Sequence, residues 1–226
     1  DFAKLIGAHE VQVRRSEDAN RRVELLHQIA QLYEDAAADL NNAFATLARA
    51  LKEDPANQDT QTAIDRVARA TGRFEDLAAV YRQLGESVVA NDPALGALLT
   101  MMSARVYEQD IGNVDTAIAL YTRVLEIDGA HLAAAESLER LFRVTERYAE
   151  LSQILQRKAT ILQEPQEQKD ALFQAAQIEE DVLEQAEAAI AVYQKVLAID
   201  EDDVKALDAL IKRYLGLSRW QDLLSV

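Results

Sequence analysis

Catalysis needs residue types that can move protons, attack or hold metals, and this chain is uneven in them. It has 3 histidines and 39 acidic residues but no cysteine. Thiolate nucleophiles, thiolate metal sites and disulfides are therefore excluded. His9, His27 and His131 are dispersed, and no H-E-x-x-H spacing sets two of them on one helix face. Each reads as a surface or groove residue rather than a metal ligand. The densest acidic run is Asp200-Glu201-Asp202-Asp203. A calcium loop alternates its ligands and needs a glycine at the sharp turn. This run does neither and sits where a helix begins, so it reads as helix capping. Phosphate loops, the dinucleotide fingerprint and the nucleophile elbow are absent. Nothing singles out a glycosidase pair among the carboxylates. The sequence predicts a chain that is not an enzyme, uses no cofactor or metal, and works by holding another protein.

Composition narrows the scaffold. Hydrophobic residues make up 49% of 226, enough for a core, while only 7 Gly and 3 Pro are present, few for a turn-rich β fold. Ala, Leu, Glu, Gln and Arg dominate, all good helix formers. The net charge of -15 disfavours nucleic acid and anionic membrane surfaces; it suits solubility or a basic partner. No apolar run approaches the ~18 residues of a membrane span, and no signal peptide opens the chain. Residue 1 is Asp, so a fragment or processed product is expected. The compartment stays open, with cytoplasm favoured over periplasm.

Two patterns recur in one register. Asn42-Ala43-Phe44-Ala45-Thr46-Leu47, Thr116-Ala117-Ile118-Ala119-Leu120-Tyr121 and Ala188-Ala189-Ile190-Ala191-Val192-Tyr193 align, spaced by about 74 and then 72 residues. The second pattern is arginine, aromatic, spacer, acid, leucine. It occurs at Arg73-Phe74-Glu75-Asp76-Leu77, Arg147-Tyr148-Ala149-Glu150-Leu151 and Arg219-Trp220-Gln221-Asp222-Leu223. Asp1-Phe2 sits where a further copy would end. Here the aromatic is expected to open a helix and pack on the preceding one, with the acid in the first turn. Between the patterns the apolar period is helical. Breaks fall at Asp54-Pro55, Gly72, Asn91-Asp92-Pro93, Gly112-Asn113, Asp128-Gly129, Glu164-Pro165 and Gly216, giving about thirteen helices.

The Ala43, Ala117 and Ala189 helices resemble the second helix of a tetratricopeptide repeat, with a small residue early and, in the second and third copies, an aromatic four later at Tyr121 and Tyr193. The preceding helices supply Ala30 with Tyr33 and Ala104 with Tyr107; in the third copy Glu179 takes the aromatic slot. The resemblance is to degenerate double-repeat arrays of long bacterial proteins. It implies an all-α, right-handed α-α superhelical solenoid of antiparallel helix hairpins over residues 1–226, with a superrepeat of about 72–74 residues. Ala117 and Ala189 should be buried where helices cross.

The resemblance also implies a concave groove lined by the first helix of each hairpin. Its groove positions fall on His27, Glu34, Leu98, Met101, Arg105, Glu108, Phe173 and Glu180, and in the intervening hairpins on Arg66, Arg69, Arg140, Arg143 and Lys212. Acidic and basic hairpins would alternate, with Met101 and Phe173 as apolar anchors and Met102 in the core. The charges could pair with one another, Glu34 with Arg66 or Arg69 and Glu108 with Arg140 or Arg143, or orient a partner peptide or helix of mixed charge. An alternative is a docking solenoid within a larger enzyme or signalling protein. Uncovered end faces would favour self-association.

Overall fold

The computed structural model describes residues 2–224; Asp1, Ser225 and Val226 lie outside them. Those residues form helices and turns, with no strand among them. The helices are α1 (Phe2–Arg15), α2 (Ala19–Asp35), α3 (Leu40–Glu53), α4 (Gln58–Thr71), α5 (Phe74–Val88), α6 (Pro93–Val106), α7 (Val114–Ile127), α8 (Leu132–Val144), α9 (Tyr148–Ile161), α10 (Pro165–Asp181), α11 (Ala186–Ile199), α12 (Val204–Gly216) and α13 (Trp220–Leu223). One π turn, Tyr107–Ile111, prolongs α6. Backbone proximity groups the chain into two compact units, Asp1–Asp128 and Gly129–Val226. The first is built on α1–α7 and the second on α8–α13. Within each unit every helix packs on its neighbour in sequence, as hairpins with short loops must.

Side chains fix where helices start. Asp18, Asp39, Asn57, Asp92, Asn113 and Asp203 each accept a backbone N–H in the first turn of the helix that follows. His131 does the same for α8, its Nδ1 accepting from the Ala134 N–H at 3.3 Å. Asp203 is also bridged, with Asp200, by Lys169 at 2.8 and 2.7 Å. The acidic run is thus a cap and an anchor for α10.

The arginine pattern turns out to stop one helix and start the next. The backbone N–H groups of Arg73, Arg147 and Arg219 reach back to the carbonyls of Ala68, Phe142 and Tyr214 at 3.0, 2.9 and 2.9 Å. The residue before each arginine is left-handed: Gly72 (φ 70), Glu146 (φ 56) and Ser218 (φ 55). This is the bond geometry of a Schellman stop, which gives partners to carbonyls left over at a helix C-terminus. Each arginine then donates Nε to the acid three residues on, Asp76, Glu150 or Asp222, at 2.7, 2.9 and 2.6 Å. Its guanidinium lies over Phe44, Phe142 or Tyr214, 4.4, 5.4 and 5.1 Å from the ring centroid. Position 68 is alanine and offers no ring, and there Phe44 of α3 supplies one. The aromatics open α5, α9 and α13; Phe74 packs against the core, whereas Trp220 stays 59% exposed. Gly216, expected as a break, is the last residue of α12, and Ser218 makes the turn instead.

A second left-handed series, Ala38, Gly112 and Glu184, closes the other hairpins at the same spacing. Four of these six left-handed residues are therefore not glycine. A non-glycine residue there costs about 1–2 kcal/mol, partly offset by glycine's own entropy. Glu146→Gly is expected to stabilise the chain by about 0.5–1 kcal/mol. Its urea midpoint should rise while that of Glu146→Ala does not.

The interior matches the alanine register. Ala43, Ala117 and Ala189 have no exposed surface. In the first unit Leu47, Leu51, Ile64 and Tyr81 share one buried cluster with Ala43. The Tyr81 hydroxyl donates to Asp65 at 2.7 Å, and burial pushes both groups above their usual pKa values. No described helix is long and apolar enough to cross a membrane.

Candidate partner-binding surface

The long first helices α2, α6 and α10 carry equivalent stripes, and the two units use them differently. In the first unit the stripe of α2 is closed by contacts to α4. Thr60 donates its hydroxyl proton to its cap residue Asn57 at 2.9 Å, so His27 Nε2 is the donor in the 2.7 Å bond to Thr60. Glu34 receives Arg66 in a two-pronged bond at 2.7 and 3.0 Å. Arg69 turns the other way and pairs with Asp110 of the π turn at 3.1 Å.

On α6 the stripe changes character. Leu98 is 47% exposed, and Arg105 is exposed with no ionic partner among the described residues. Met101 is only 3% exposed, so it is a core residue and not an accessible anchor. Met102, next to it, packs against the core while keeping some exposure. The stretch Leu98-Leu99-Thr100-Met101-Met102 is apolar nearly all round, which leaves its inward side undefined by composition. Glu108 accepts the Tyr121 hydroxyl at 2.7 Å.

In the second unit α10 presents Phe173, half-buried, its ring centroid 6.2 Å from that of Tyr193. Tyr193 donates to Glu180 at 3.1 Å, and burial, with Asp181 adding to it, raises its pKa. Arg213 bridges to Glu180. Lys212, the groove position read for α12, is exposed and has no ion pair among the described residues; its neighbour Arg213 makes the bridge. Arg140 is exposed on α8. Arg143 bonds Glu139 at 2.9 Å and Gln174 of α10 at 3.2 Å.

A pocket of about 610 Å³ opens in front of Phe173, with Asp170, Gln177, Asp181 and Lys205 on its walls. A second, about 390 Å³, adjoins it between α8, α9 and α10, and Asp170 and Gln174 line both. In α2 the residue equivalent to Phe173 is His27, which is tied to Thr60. The equivalents in the second unit are Phe173 and Ala206, which can form no such bond. No cluster of His, Asp or Glu among the described residues is arranged to hold a metal ion.

The family model of the tetratricopeptide repeat matches residues 101–130, the end of α6, the π turn and α7. The degenerate hairpins around it, built on the same caps and spacing, are consistent with that family. No curated protein matches the chain. Among solved structures, a tetratricopeptide repeat protein from Parabacteroides merdae ATCC 43184 is similar at 15% identity and TM-score 0.43, over 90% of this chain and 76% of that one. YrrB, described as a TPR protein with an unusual peptide-binding site, is similar at 18% identity and TM-score 0.41, over 92% and 96%. A thermophilic TPR protein from Thermus thermophilus follows at 16% and 0.33, over 85% and 99%. Proteins of the tetratricopeptide fold generally mediate protein–protein interaction.

Proposed function

We propose that this chain is a protein-interaction scaffold that holds a peptide or helix of a partner protein on its first-helix faces. The observation that carries the reading is the open pocket in front of Phe173. An aromatic side chain half-exposed to a cavity of that size is the kind of anchor point where interface energy concentrates. The surrounding stripes sort the remaining side chains. His27, Glu34, Arg66, Arg69, Arg143 and Glu180 are engaged within their own unit. Exposed pairs of this kind contribute about 0–1 kcal/mol each, so a partner can exchange them at little cost. Leu98 and Arg105 on α6, and Phe173 with Lys212 in the second unit, remain available. The fitting partner segment carries mixed charge and at least one large side chain.

The test uses partners cross-linked to the full chain. Phe173→Ala and Leu98→Ala, made separately, should each weaken capture of a true partner about tenfold, the loss expected at an anchor worth about 1.4 kcal/mol. Arg82→Ala and Glu86→Ala, both exposed on the second helix α5, should not. Binding lost with the α5 changes and kept with the first-helix changes would overturn the reading.

A further inference from the structure

The geometry points to an arginine-binding subsite where the two pockets of the second unit meet, with Phe173 as the stacking face and Asp170 as the carboxylate. It rests on the scaffold reading and specifies which partner side chain the anchor takes. Asp170 lies one helical turn before Phe173, so ring and carboxylate share a face of α10. Gln166 donates to Asp170 Oδ1 at 2.8 Å. No described cation pairs with this residue, and Oδ2 has no protein donor among the described residues.

The charge around the junction is set by unpaired carboxylates. Glu136 and Glu167, which line the adjoining pocket with Asp170, are exposed and without ionic partners among the described residues. Glu139, on the same wall, is already bridged to Lys158 at 2.8 Å and to Arg143 at 2.9 Å. Three carboxylates therefore face the cavity with no cation of their own, and the bridged trio offsets only part of that field.

Arginine answers both halves of this arrangement. Its guanidinium is planar and stacks on an aromatic face while its edge offers a fork of N–H groups to a carboxylate. Lysine carries the same charge without the plane, and an apolar side chain would leave Asp170 Oδ2 facing it without a donor. Lys205, on the far wall of the larger pocket and itself unpaired among the described residues, works against a second cation there. The favoured ligand is thus a lone arginine rather than a polybasic run.

The chain can be tested directly with Nα-acetyl-arginine amide, Nα-acetyl-lysine amide and Nα-acetyl-citrulline amide, titrated against the isotope-labelled protein by NMR. Arginine amide should give saturating shifts at the amides of α10 and at Tyr193, binding at least about fivefold more tightly than citrulline amide and more tightly than lysine amide. Asp170→Asn and Phe173→Leu should each reduce arginine affinity at least about fivefold, and Asp202→Asn, in a loop, should not. Retention of the α10 amide pattern in both variants shows the helix intact. Equal shifts with citrulline, or non-saturating shifts spread over acidic residues across the surface, overturn the subsite. If partner capture depends on Phe173 while arginine amide does not bind, the subsite fails and the scaffold reading stands. Saturable arginine binding with partner capture indifferent to Phe173 sinks the scaffold reading alone.

Discussion

Replacing Gly96 with leucine is expected to destabilise the first unit by about 3 kcal/mol, at the upper end of overpacking costs. The reason is the closeness of α5 and α6. A Cβ on Gly96 would lie 2.9 Å from the Cα of Val89, and one on Gly85 would lie 2.9 Å from Thr100 Oγ1 and 3.1 Å from the Gly96 carbonyl oxygen. Backbone cannot swing aside as a side-chain tip can. The hydroxyls at the crossing are both used: Thr100 donates to the Gly96 carbonyl at 2.8 Å and Ser103 to the Ala78 carbonyl at 2.9 Å. Both polar residues are buried and satisfied; the Ser103 bond ties α6 to α5, while that of Thr100 stays within α6. Even Gly96→Ala should lose about 1 kcal/mol, because the clash outweighs the ~1 kcal/mol that alanine gains over glycine in a helix. Repeat arrays need not unfold in one step, so the measurement is hydrogen exchange read per helix. Faster exchange concentrated in α5 and α6 is expected. Protection unchanged in the leucine variant would show that the crossing is looser than these distances state.

That crossing was invisible in the sequence, and the reason is physical. Glycine in a helix reads as a weak point, and only the neighbour's identity shows that it is a contact. The repeat itself was legible because its two patterns serve backbone needs that every copy shares. Alanine at 43, 117 and 189 lets helices approach, and the arginine at 73, 147 and 219 closes one helix and ties itself to an acid in the first turn of the next. The turns at Ala38, Glu146, Glu184 and Ser218 gave no compositional signal, since the surrounding bonds hold a left-handed residue without glycine. The first-helix stripes were legible only to within one residue. The bridge to Glu180 comes from Arg213, beside the groove position read at Lys212, and Met101 is inside. Neighbouring positions on a helix differ by about 100°, so a one-residue error exchanges a core side chain for an exposed one. Phe173 was found because the groove register carried from His27 of α2 falls on it. The pocket in front of it was not legible, because it forms where side chains of α10, Tyr193 of α11 and Lys205 of α12 meet, which spacing along one helix does not show.

Glu179 is the clearest departure from the repeat, and removing its hydrogen-bond donor should be the second large effect. It occupies the slot of Tyr33 and Tyr107 and is 7% exposed. Ser152, fully buried on α9, donates to it at 2.5 Å, and Gln156 in turn donates to the Ser152 hydroxyl at 3.2 Å. The equivalent of Ser152 in α5 is Ala78, which packs in the cluster that also holds Tyr107. The first unit thus uses an alanine and a tyrosine where the second uses a serine and a carboxylate. A buried polar group left without its partner costs about 1–3 kcal/mol, and more when it is charged. Ser152→Ala alone should therefore destabilise the second unit by about 2–3 kcal/mol. Converting both positions to the first unit's pattern removes the carboxylate along with its donor, and exchanging buried polar partners for packed apolar surface is often neutral or stabilising. Ser152→Ala with Glu179→Tyr is expected to recover most of the loss relative to Ser152→Ala and to approach or exceed the parent. The single and double variants form a cycle with Glu179→Tyr, each read by exchange protection in α9 and α10. A double variant no more stable than Ser152→Ala would mean that the third copy has reshaped its crossing around the glutamate and no longer accepts the ring.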